Sequence, residues 1–131
     1  MKSIDDARQY FSQDKFATDA TDIVIEDCRE NYSKCSFKVC DKHKNAVGSV
    51  MGGAIYTLAD FSFAVASNYS GIPTVTTTSN ISFLSTPKGD TLIAECAAVK
   101  EGRRMCFYNV RVTDNLDTLV ATVSISGMHL G

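Results

Sequence analysis

Two spacings of hydrophobic residues alternate along the chain, and they predict short helices and strands. Apolar residues recur every three or four positions between residues 4 and 11, with Ser3 before them and Asp5 and Asp6 in the first turn, which is typical of a capped amphipathic helix. We expect strands at residues 21–26 and 33–40, and the second of them alternates apolar with polar positions. Residues 41–50 show no period and are predicted to form a loop.

The middle of the chain carries its most apolar segment, which begins at Gly52 and Gly53 and ends near Asn68. It is too short to span a bilayer and too apolar for a surface helix, so we expect a buried helix. Four long strand-like segments follow. Short turns join them, which favours antiparallel pairing; they cover residues 74–84, 91–100, 105–113 and 119–129.

This order of elements predicts an α+β fold in which one antiparallel sheet curls around a central apolar helix. A length of 131 residues suits one core, so we expect residues 1–131 to form a single domain. A helix can cover only one face of the sheet. The open face and edges therefore predict self-association.

Composition and charge narrow the classes of function. The formal net charge of -2 gives no basic field, which argues against a nucleic-acid partner. The N-terminus lacks the apolar stretch of a signal peptide, and no segment is long enough for a membrane span, so we expect a cytoplasmic protein without membrane contact. Five cysteines without a CxxC pair also fit a reducing compartment.

We expect neither a metal nor another cofactor. The nearest group of metal-ligating residues is Cys28, Cys35, Cys40 and His43. In a strand over residues 33–40, Cys35 and Cys40 point to opposite faces, so the four side chains would not converge on one ion. Buried structural thiols are the expected alternative.

Asp60 is the only acidic or basic residue in the apolar helix. Burying an unpaired carboxylate costs several kcal/mol, so its presence needs a reason. Thr57 and Gly53 precede it at helical spacing and share one stripe with it, and such a stripe is typical of a small-molecule groove. The alternatives are an ion pair with a strand Arg or Lys, or simple exposure to water.

The paired glycines suggest a second chemical group. Bare backbone N–H groups at a helix N-terminus bind a developing oxyanion, although a helix start that only needs conformational freedom is the alternative. Gly52 and Asp60 are eight residues apart, which is about 12 Å along a helix. That is too far for both to act on one carbonyl. If both act, Gly52 of one subunit faces Asp60 of another, which predicts a homodimer.

The run from Asn45 to Asp60 resembles the PaaI-type hot-dog thioesterases, a family named for phenylacetic acid degradation. Members typically carry an asparagine, then His-Gly-Gly, then Leu-Ala-Asp, and the corresponding positions here are 45, 51–53 and 58–60. The order of elements is similar along nearly the whole chain. The resemblance implies the hot-dog fold and hydrolysis of acyl-CoA or aroyl-CoA thioesters.

The resemblance also implies roles for single residues. Asp60 matches the carboxylate that acts as general base or nucleophile, and Gly52 matches the glycine whose N–H polarises the carbonyl. Asn45 matches the asparagine that places the carbonyl or the attacking water. Thr76 or Thr77 is the candidate for orienting water, with an ordinary β-favouring strand as the alternative.

One position departs from the family pattern, because Met51 stands where histidine is usual. Methionine neither donates a hydrogen bond nor relays a proton, so the rate and the substrate preference stay open. Met51, Gly53 and Thr57 are expected to line the substrate groove.

Basic residues near the turn after the fourth predicted strand are candidates for gripping the phosphates of CoA, namely Lys100, Arg103 and Arg104. Lys88 is a further candidate. An ordinary solvated turn is the alternative.

We therefore expect an acyl- or aroyl-CoA thioesterase that forms a homodimer and pairs into a tetramer, as many hot-dog proteins do. The alternative is a hot-dog dimer that binds acyl-CoA without hydrolysing it, which Met51 would permit. Dehydration of a hydroxyacyl thioester would ask for a histidine near the central helix, and His43 and His129 lie outside the motif. No pattern indicates the acyl chain length, or CoA rather than acyl carrier protein.

Overall fold

The computed structural model describes residues 1–131 and contains two α-helices and one six-stranded sheet. The helices are α1 (Ile4–Phe11) and α2 (Gly52–Asn68). A π-helical turn at Phe16–Ala20 and a 3₁₀ turn at Asp41–His43 lie in the links between elements. The strands are β1 (Val24–Arg29), β2 (Tyr32–Lys38), β3 (Thr74–Phe83), β4 (Thr91–Glu101), β5 (Met105–Asp114) and β6 (Leu119–His129).

The sheet has the strand order β1-β2-β4-β5-β6-β3, and every neighbouring pair is antiparallel. The apolar helix α2 packs on one face of this sheet, chiefly against β2 and β4. Its Leu58, Phe63 and Val65 are fully or almost fully buried in a continuous core, to which every strand except β3 contributes buried side chains. The α+β arrangement expected from the sequence is confirmed. Neither α-helix has the length and hydropathy that crossing a membrane requires.

Gly127 lets α2 approach β6 closely. A Cβ at this position would lie 2.7 Å from Cζ of Phe63 and 3.0 Å from the carbonyl oxygen of Val75. The ring of Phe63 fills that space and meets the ring of Tyr108 edge-on, with centroids 5.2 Å apart. A larger residue at position 127 would therefore push the helix away from the sheet.

The two edges of the sheet differ in how they are protected. On the β1 edge, the Arg8 guanidinium donates to the carbonyl oxygen of Ile25 at 2.7 Å and 3.0 Å, and the register shifts next to it. The β3 edge has ten residues without one charge, and β3 pairs only with β6. Charges, bulges and covering side chains are the usual protection against edge-to-edge pairing. The β3 strand has one register shift, between Thr76 and Thr78, but it carries no charge, so the part of β3 after the shift is left open to a second strand.

Several strand boundaries differ from the sequence prediction, and two of the differences have a clear local reason. The first strand begins at Val24 instead of residue 21, because both the N–H and the hydroxyl of Thr21 donate to the carbonyl oxygen of Phe16 and close the π-helical turn. The strand β2 ends at Lys38, because the next N–H leaves the ladder and donates to the carbonyl oxygen of Asp90 at 2.7 Å.

Asp114 fixes the segment that follows β3. Its buried carboxylate accepts hydrogen bonds of 2.7–2.9 Å from the N–H groups of Lys88, Gly89, Leu116 and Thr118. Burial alone would raise the pKa of Asp114, but these four donors outweigh it and hold the pKa well below its usual range. The segment that runs past the N-terminal end of α2 is thereby anchored to the turn after β5.

Candidate functional site

Asp60 lies in a cleft between α2 and the π-helical turn, and its carboxylate has no partner. The cleft has a volume of about 310 Å³, and its wall includes Asp14, Lys15, Phe16 and Phe61. Lys15 is the only cation in this wall, and its ammonium lies 3.9 Å from the carboxylate of Asp19. Asp60 is exposed in the single chain. The expected alternative of an ion pair with a strand Arg or Lys therefore does not occur.

The cleft holds two carboxylates without a counterion. Partial burial raises the pKa of Asp60, and the charge of nearby Asp14 raises it further. The pKa of Asp14 is itself raised by partial burial. A carboxylate with a raised pKa is a stronger base than an ordinary aspartate, so this environment favours proton uptake by Asp60.

The stripe predicted on α2 is present. Gly53 and Asp60 are exposed and Thr57 is half-buried between them, while the neighbouring Leu58 and Ala59 are buried. The hydroxyl of Thr57 donates to the carbonyl oxygen of Gly53 at 2.7 Å. Its oxygen lone pairs are left to accept a bond from a molecule in the Asp60 cleft.

The N-terminal end of α2 offers free backbone donors. The N–H groups of Gly52 and Gly53 donate no hydrogen bond within the chain, and Met51 before them provides no side-chain cap. Gly52 borders a second cleft of about 440 Å³ whose wall includes Phe83. A Cβ at position 52 would lie 3.1 Å from the ring of Phe83, so the bare backbone lets this ring pack against it.

The loop before α2 holds Asn45 by its side chain. Oδ1 of Asn45 accepts hydrogen bonds from the N–H groups of Val47 and Ser49, both at 3.1 Å. The side-chain amide nitrogen of Asn45 is the part that these bonds leave free, because both of them use the oxygen. The side chain of Met51 is 44% exposed and extends near Gly53.

The structure does not bring Gly52 and Asp60 together within one chain. They open into two different clefts that share no residue, and their separation along the helix is about 12 Å. A single subunit therefore has a base in one cleft and oxyanion donors at another.

Register separates the two candidate threonines of β3. Thr76 is paired with Gly127, which faces α2, so Thr76 lies on the helix side of the sheet. The register shifts after Thr76, and the hydroxyl of Thr77 donates to the carbonyl oxygen of Ser126 at 3.0 Å. Thr76 forms no such bond within the sheet, so its hydroxyl is the freer of the two.

The basic candidates lie at the other end of α2. Lys100 is near the end of β4, and Arg103 and Arg104 occupy the turn to β5. All three side chains are exposed. Arg103 borders a small cavity together with Ser67 in the last turn of α2, so this turn is remote from Gly52 of the same chain. Lys88, by contrast, follows Pro87 in the wall of the Gly52 cleft.

Neither histidine lines the Gly52 or Asp60 cleft, although the carbonyl oxygen of His43 accepts a hydrogen bond from the N–H of Met51 at 2.8 Å. Nδ1 of His43 accepts from the N–H of Cys40 at 3.0 Å, so Nε2 donates to the carbonyl oxygen of Thr21 at 2.8 Å. The ring also stacks on Phe37 in the core. His129 lies at the end of β6, beside the C-terminal end of α2. The dehydration alternative gains no support from this arrangement.

Sequence reasoning missed two residues of the Asp60 cleft, Asp14 and Phe16. They precede α2 by more than thirty residues, and the π-helical turn that aims them at it has no sequence signature. The signal that could have found them is Asp14 itself, an acid beside an aromatic-rich segment with no basic partner at helical spacing.

Comparison with known proteins places these features in a family. Residues 47–121 match the profile of the thioesterase superfamily. Over 101 residues, the chain is 30% identical to acyl-coenzyme A thioesterase PaaI of Escherichia coli strain K12, an alignment that covers 76% of this chain and 71% of that protein.

Two solved structures have a similar backbone. The structure of the Escherichia coli PaaI protein from the phenylacetic acid degradation operon superposes with a TM-score of 0.90 at 22% identity, over 98% of this chain and 94% of that one. The structure of smu.793 from Streptococcus mutans UA159, bound to acetyl-CoA, gives a TM-score of 0.79 at 30% identity, over 83% and 89% of the two chains. The hot-dog fold is thereby shown.

Proposed function

The chain belongs to the thioesterase superfamily as a PaaI-type hot-dog thioester hydrolase, and from that premise we propose that it hydrolyses acyl- or aroyl-CoA thioesters to the free acid and CoA. The observation that carries the proposal is Asp60, a carboxylate with a raised pKa in an open cleft whose one cation, Lys15, lies beside Asp19 instead. No structural ion pair explains the carboxylate of Asp60, whereas catalysis by a general base requires a carboxylate with a raised pKa.

In the proposed reaction, Asp60 takes a proton from a water molecule while the water oxygen attacks the thioester carbonyl carbon. The carbonyl oxygen becomes an oxyanion, which the free N–H of Gly52 and the α2 dipole stabilise. The intermediate then collapses, the C–S bond breaks, and the CoA thiolate recovers the proton from Asp60. Thr76 and the free amide of Asn45 are proposed to orient the water and the carbonyl.

This reaction requires two chains, because one chain separates its base from its oxyanion donors. The uncharged β3 edge supports a homodimer in which β3 pairs antiparallel with the β3 of a second chain. Such a two-fold arrangement runs α2 antiparallel to its counterpart. The N-terminal end of one helix, with its Gly52, would then lie beside the middle of the other helix, with its Asp60.

The same arrangement gives the basic turn a role. In an antiparallel pair of helices, the C-terminal end of one helix points in the same direction as the N-terminal end of the other. The exposed Lys100, Arg103 and Arg104 would then lie beyond the shared carbonyl site, where the phosphates of CoA extend. Pairing of two such dimers into a tetramer and a cytoplasmic location belong to the same proposal.

The decisive variant is Asp60→Asn, which keeps the side-chain volume and removes the base. We expect release of free CoA thiol from acetyl-, octanoyl-, palmitoyl- and phenylacetyl-CoA to fall by about 10²–10⁴-fold, the usual contribution of a general base. Asp117→Asn, in an exposed turn, makes the same charge change away from the cleft and should leave turnover intact. Unchanged turnover in Asp60→Asn, with folding confirmed by circular dichroism, would refute the assignment.

Oligomeric state tests the shared site separately. Sedimentation equilibrium should show a dimer or a larger even-numbered assembly. A monomer that retains full activity would contradict the geometry even if the protein proves to be a thioesterase.

Met51 favours one competing function, a dimer that binds acyl-CoA without hydrolysing it. Its side chain is exposed beside Gly53 and has no proton to donate. Thermal stabilisation by acyl-CoA without any thiol release would support this second reading, whereas both together support the thioesterase.

A further inference from the structure

Three metal-ligating side chains of different chemistry meet at the C-terminal end of α2, outside the proposed thioesterase site. Glu101 ends β4, Cys106 is the second residue of β5, and His129 ends β6. Their ligand atoms all lie within 4.8 Å of one another. Glu101 and Cys106 are register partners, and β5 and β6 are neighbours in the sheet. Adjacent strands therefore hold the three groups together on rigid backbone.

We propose that Glu101, Cys106 and His129 form a binding site for a divalent thiolate-binding metal ion, Zn²⁺. A thiolate, an imidazole and a carboxylate are the donors that zinc accepts together, whereas the thiolate disfavours Mg²⁺ and Ca²⁺. Three protein ligands leave the fourth position of a tetrahedral ion for water or another small ligand.

Hydrogen bonds around the three residues already orient two of them. Nδ1 of His129 lies 2.7 Å from Oγ1 of Thr74, and Nε2 lies 2.6 Å from Oε1 of Glu101. The hydroxyl of Tyr108 lies 2.5 Å from the other carboxylate oxygen of Glu101 and 2.8 Å from Oδ1 of Asn31. Such outer hydrogen bonds fix the tautomer and the rotamers of metal ligands.

A small cavity gives an ion access to the three ligands. It has a volume of about 210 Å³, and both Glu101 and His129 border it. The side chains of His129 and Glu101 are 10% and 27% exposed, while Cys106 is buried behind them. An ion entering from the cavity would meet the carboxylate and the imidazole first and the thiol last, with water retained on the cavity side.

Binding requires two local changes. Ligand atoms about 2 Å from one tetrahedral ion lie about 3.3 Å apart, so the 2.6 Å contact between His129 and Glu101 must lengthen. Glu101 is the more exposed of the two and can rotate towards the cavity. Cys106 must also lose its proton to the solvent as the sulfur–metal bond forms.

The competing explanation is purely structural: a His129–Glu101 ion pair that ties the end of β6 to the end of β4, beside an inert thiol. The two explanations differ in what a metal ion does to the full chain. The ion pair predicts no response, whereas the metal site predicts binding of one ion per chain that depends on all three residues.

Metal titration of the full-length, chelator-treated protein tests the proposal. Zn²⁺ should bind one ion per chain by calorimetry and should raise Tm. Co²⁺ should produce a thiolate-to-cobalt charge-transfer band and the visible bands of tetrahedral cobalt. Cys106→Ser and His129→Gln should each abolish the charge-transfer band or weaken Zn²⁺ binding. The weakening should exceed the roughly 10–100-fold that is lost when a residue behind the ligands is changed.

Two matched thiol variants serve as controls. Cys96→Ser removes a buried thiol of β4 outside the cluster, and Cys40→Ser removes the exposed thiol that lies 3.6 Å from Nδ1 of His43. Both should bind Zn²⁺ like the unaltered chain. If Cys106→Ser does not fold, Glu101→Gln, at a more exposed position, replaces it.

Absence of Zn²⁺ binding in the unaltered chain would overturn the proposal, as would binding that survives in both Glu101→Gln and His129→Gln. Loss of binding in Cys40→Ser would move the site to the other histidine and would also overturn it. None of these measurements involves thioester hydrolysis, so their outcome is independent of the thioesterase proposal.

Discussion

At the N-terminal end of α2, the N–H groups of Gly52 and Gly53 donate to nothing, and two turns later Asp60 has no counterion. At the C-terminal end, by contrast, Thr74, Tyr108 and His129 all have hydrogen-bond partners. Gly53 and Asp60 are exposed, so water satisfies them in the free chain and a ligand can replace that water. The contrast supports the proposed catalytic role of the first region, whereas hydrogen bonds within the chain hold the side chains of the proposed metal site in the second.

The strongest test of the contrast removes one free donor and leaves the helix intact. Gly52 is the first residue of α2, where proline is tolerated, and Met51 before it has the extended backbone that a following proline requires. Gly52→Pro should therefore lower kcat by about 10²–10³-fold, the usual cost of losing one oxyanion donor. Steady-state kinetics of thiol release would measure the loss.

Gly52→Ala is the matched control. Both substitutions add a Cβ atom close to the ring of Phe83, but only alanine keeps the backbone N–H. It should be much more active than Gly52→Pro. An equal fall in kcat in the two variants would show that the absence of a side chain at position 52 matters and that its backbone N–H does not.

A change at the opposite end should affect stability instead of turnover. Tyr108→Phe leaves Glu101 and Asn31 without their shared donor, and the loss of such a buried donor costs about 1–3 kcal/mol. Urea denaturation in chelator-containing buffer would measure this change. Because no residue of this cluster reaches the Asp60 cleft, kcat should stay within about twofold.

Tyr32→Phe provides the comparison for that measurement. It removes an exposed hydroxyl that donates to Glu95 at 2.9 Å, and such surface changes stay within about 0.5 kcal/mol. A fall in the kcat of Tyr108→Phe beyond about twofold would contradict the different roles given to the two ends of α2.

The smallest expected effect concerns the Asp60 cleft. Asp14→Asn removes the like charge that raises the pKa of Asp60, so Asp60 should lose its proton at lower pH. The acid limb of kcat/KM against pH should therefore move to lower pH, with little change at the plateau. Asp117→Asn is the control for net charge. A shift to higher pH, or equal shifts in the two variants, would contradict the role of Asp14.

The fold could be predicted largely from the sequence, because the signals that define it are local. The apolar run that begins at Gly52 and the long Val- and Thr-rich segments after it indicate one buried helix and antiparallel strands, and the structure confirms both. The errors lie where a hydrogen bond overrides pattern. Thr21 closes a π-helical turn instead of opening a strand.

The candidate site could be predicted only in part. The stripe of Gly53, Thr57 and Asp60 follows from helical spacing alone and is present. Exposure of Asp60 was one of the two alternatives to a groove, and the side chain is exposed in the single chain. Asp14 could not be placed near it without the intervening turn.

The metal-ligand cluster illustrates a different limit of sequence reasoning. The expectation of no metal rested on the cysteines of the first half and His43, and Cys28 and Cys35 are indeed core residues while Cys40 is exposed. Glu101 and His129 are 28 positions apart and become neighbours only through the register of three strands. No spacing rule covers such a set.

The uncharged edge of β3 affects how the protein behaves when it is diluted or when a substitution weakens the contact between its chains. An edge strand of ten residues without a charge is a template for uncontrolled pairing whenever a chain is alone. In the proposed dimer, the contact that completes the catalytic site also hides this template. Dilution would then inactivate the enzyme and expose it to aggregation in one step, and a substitution that weakens the contact would be eliminated for insolubility as readily as for lost turnover.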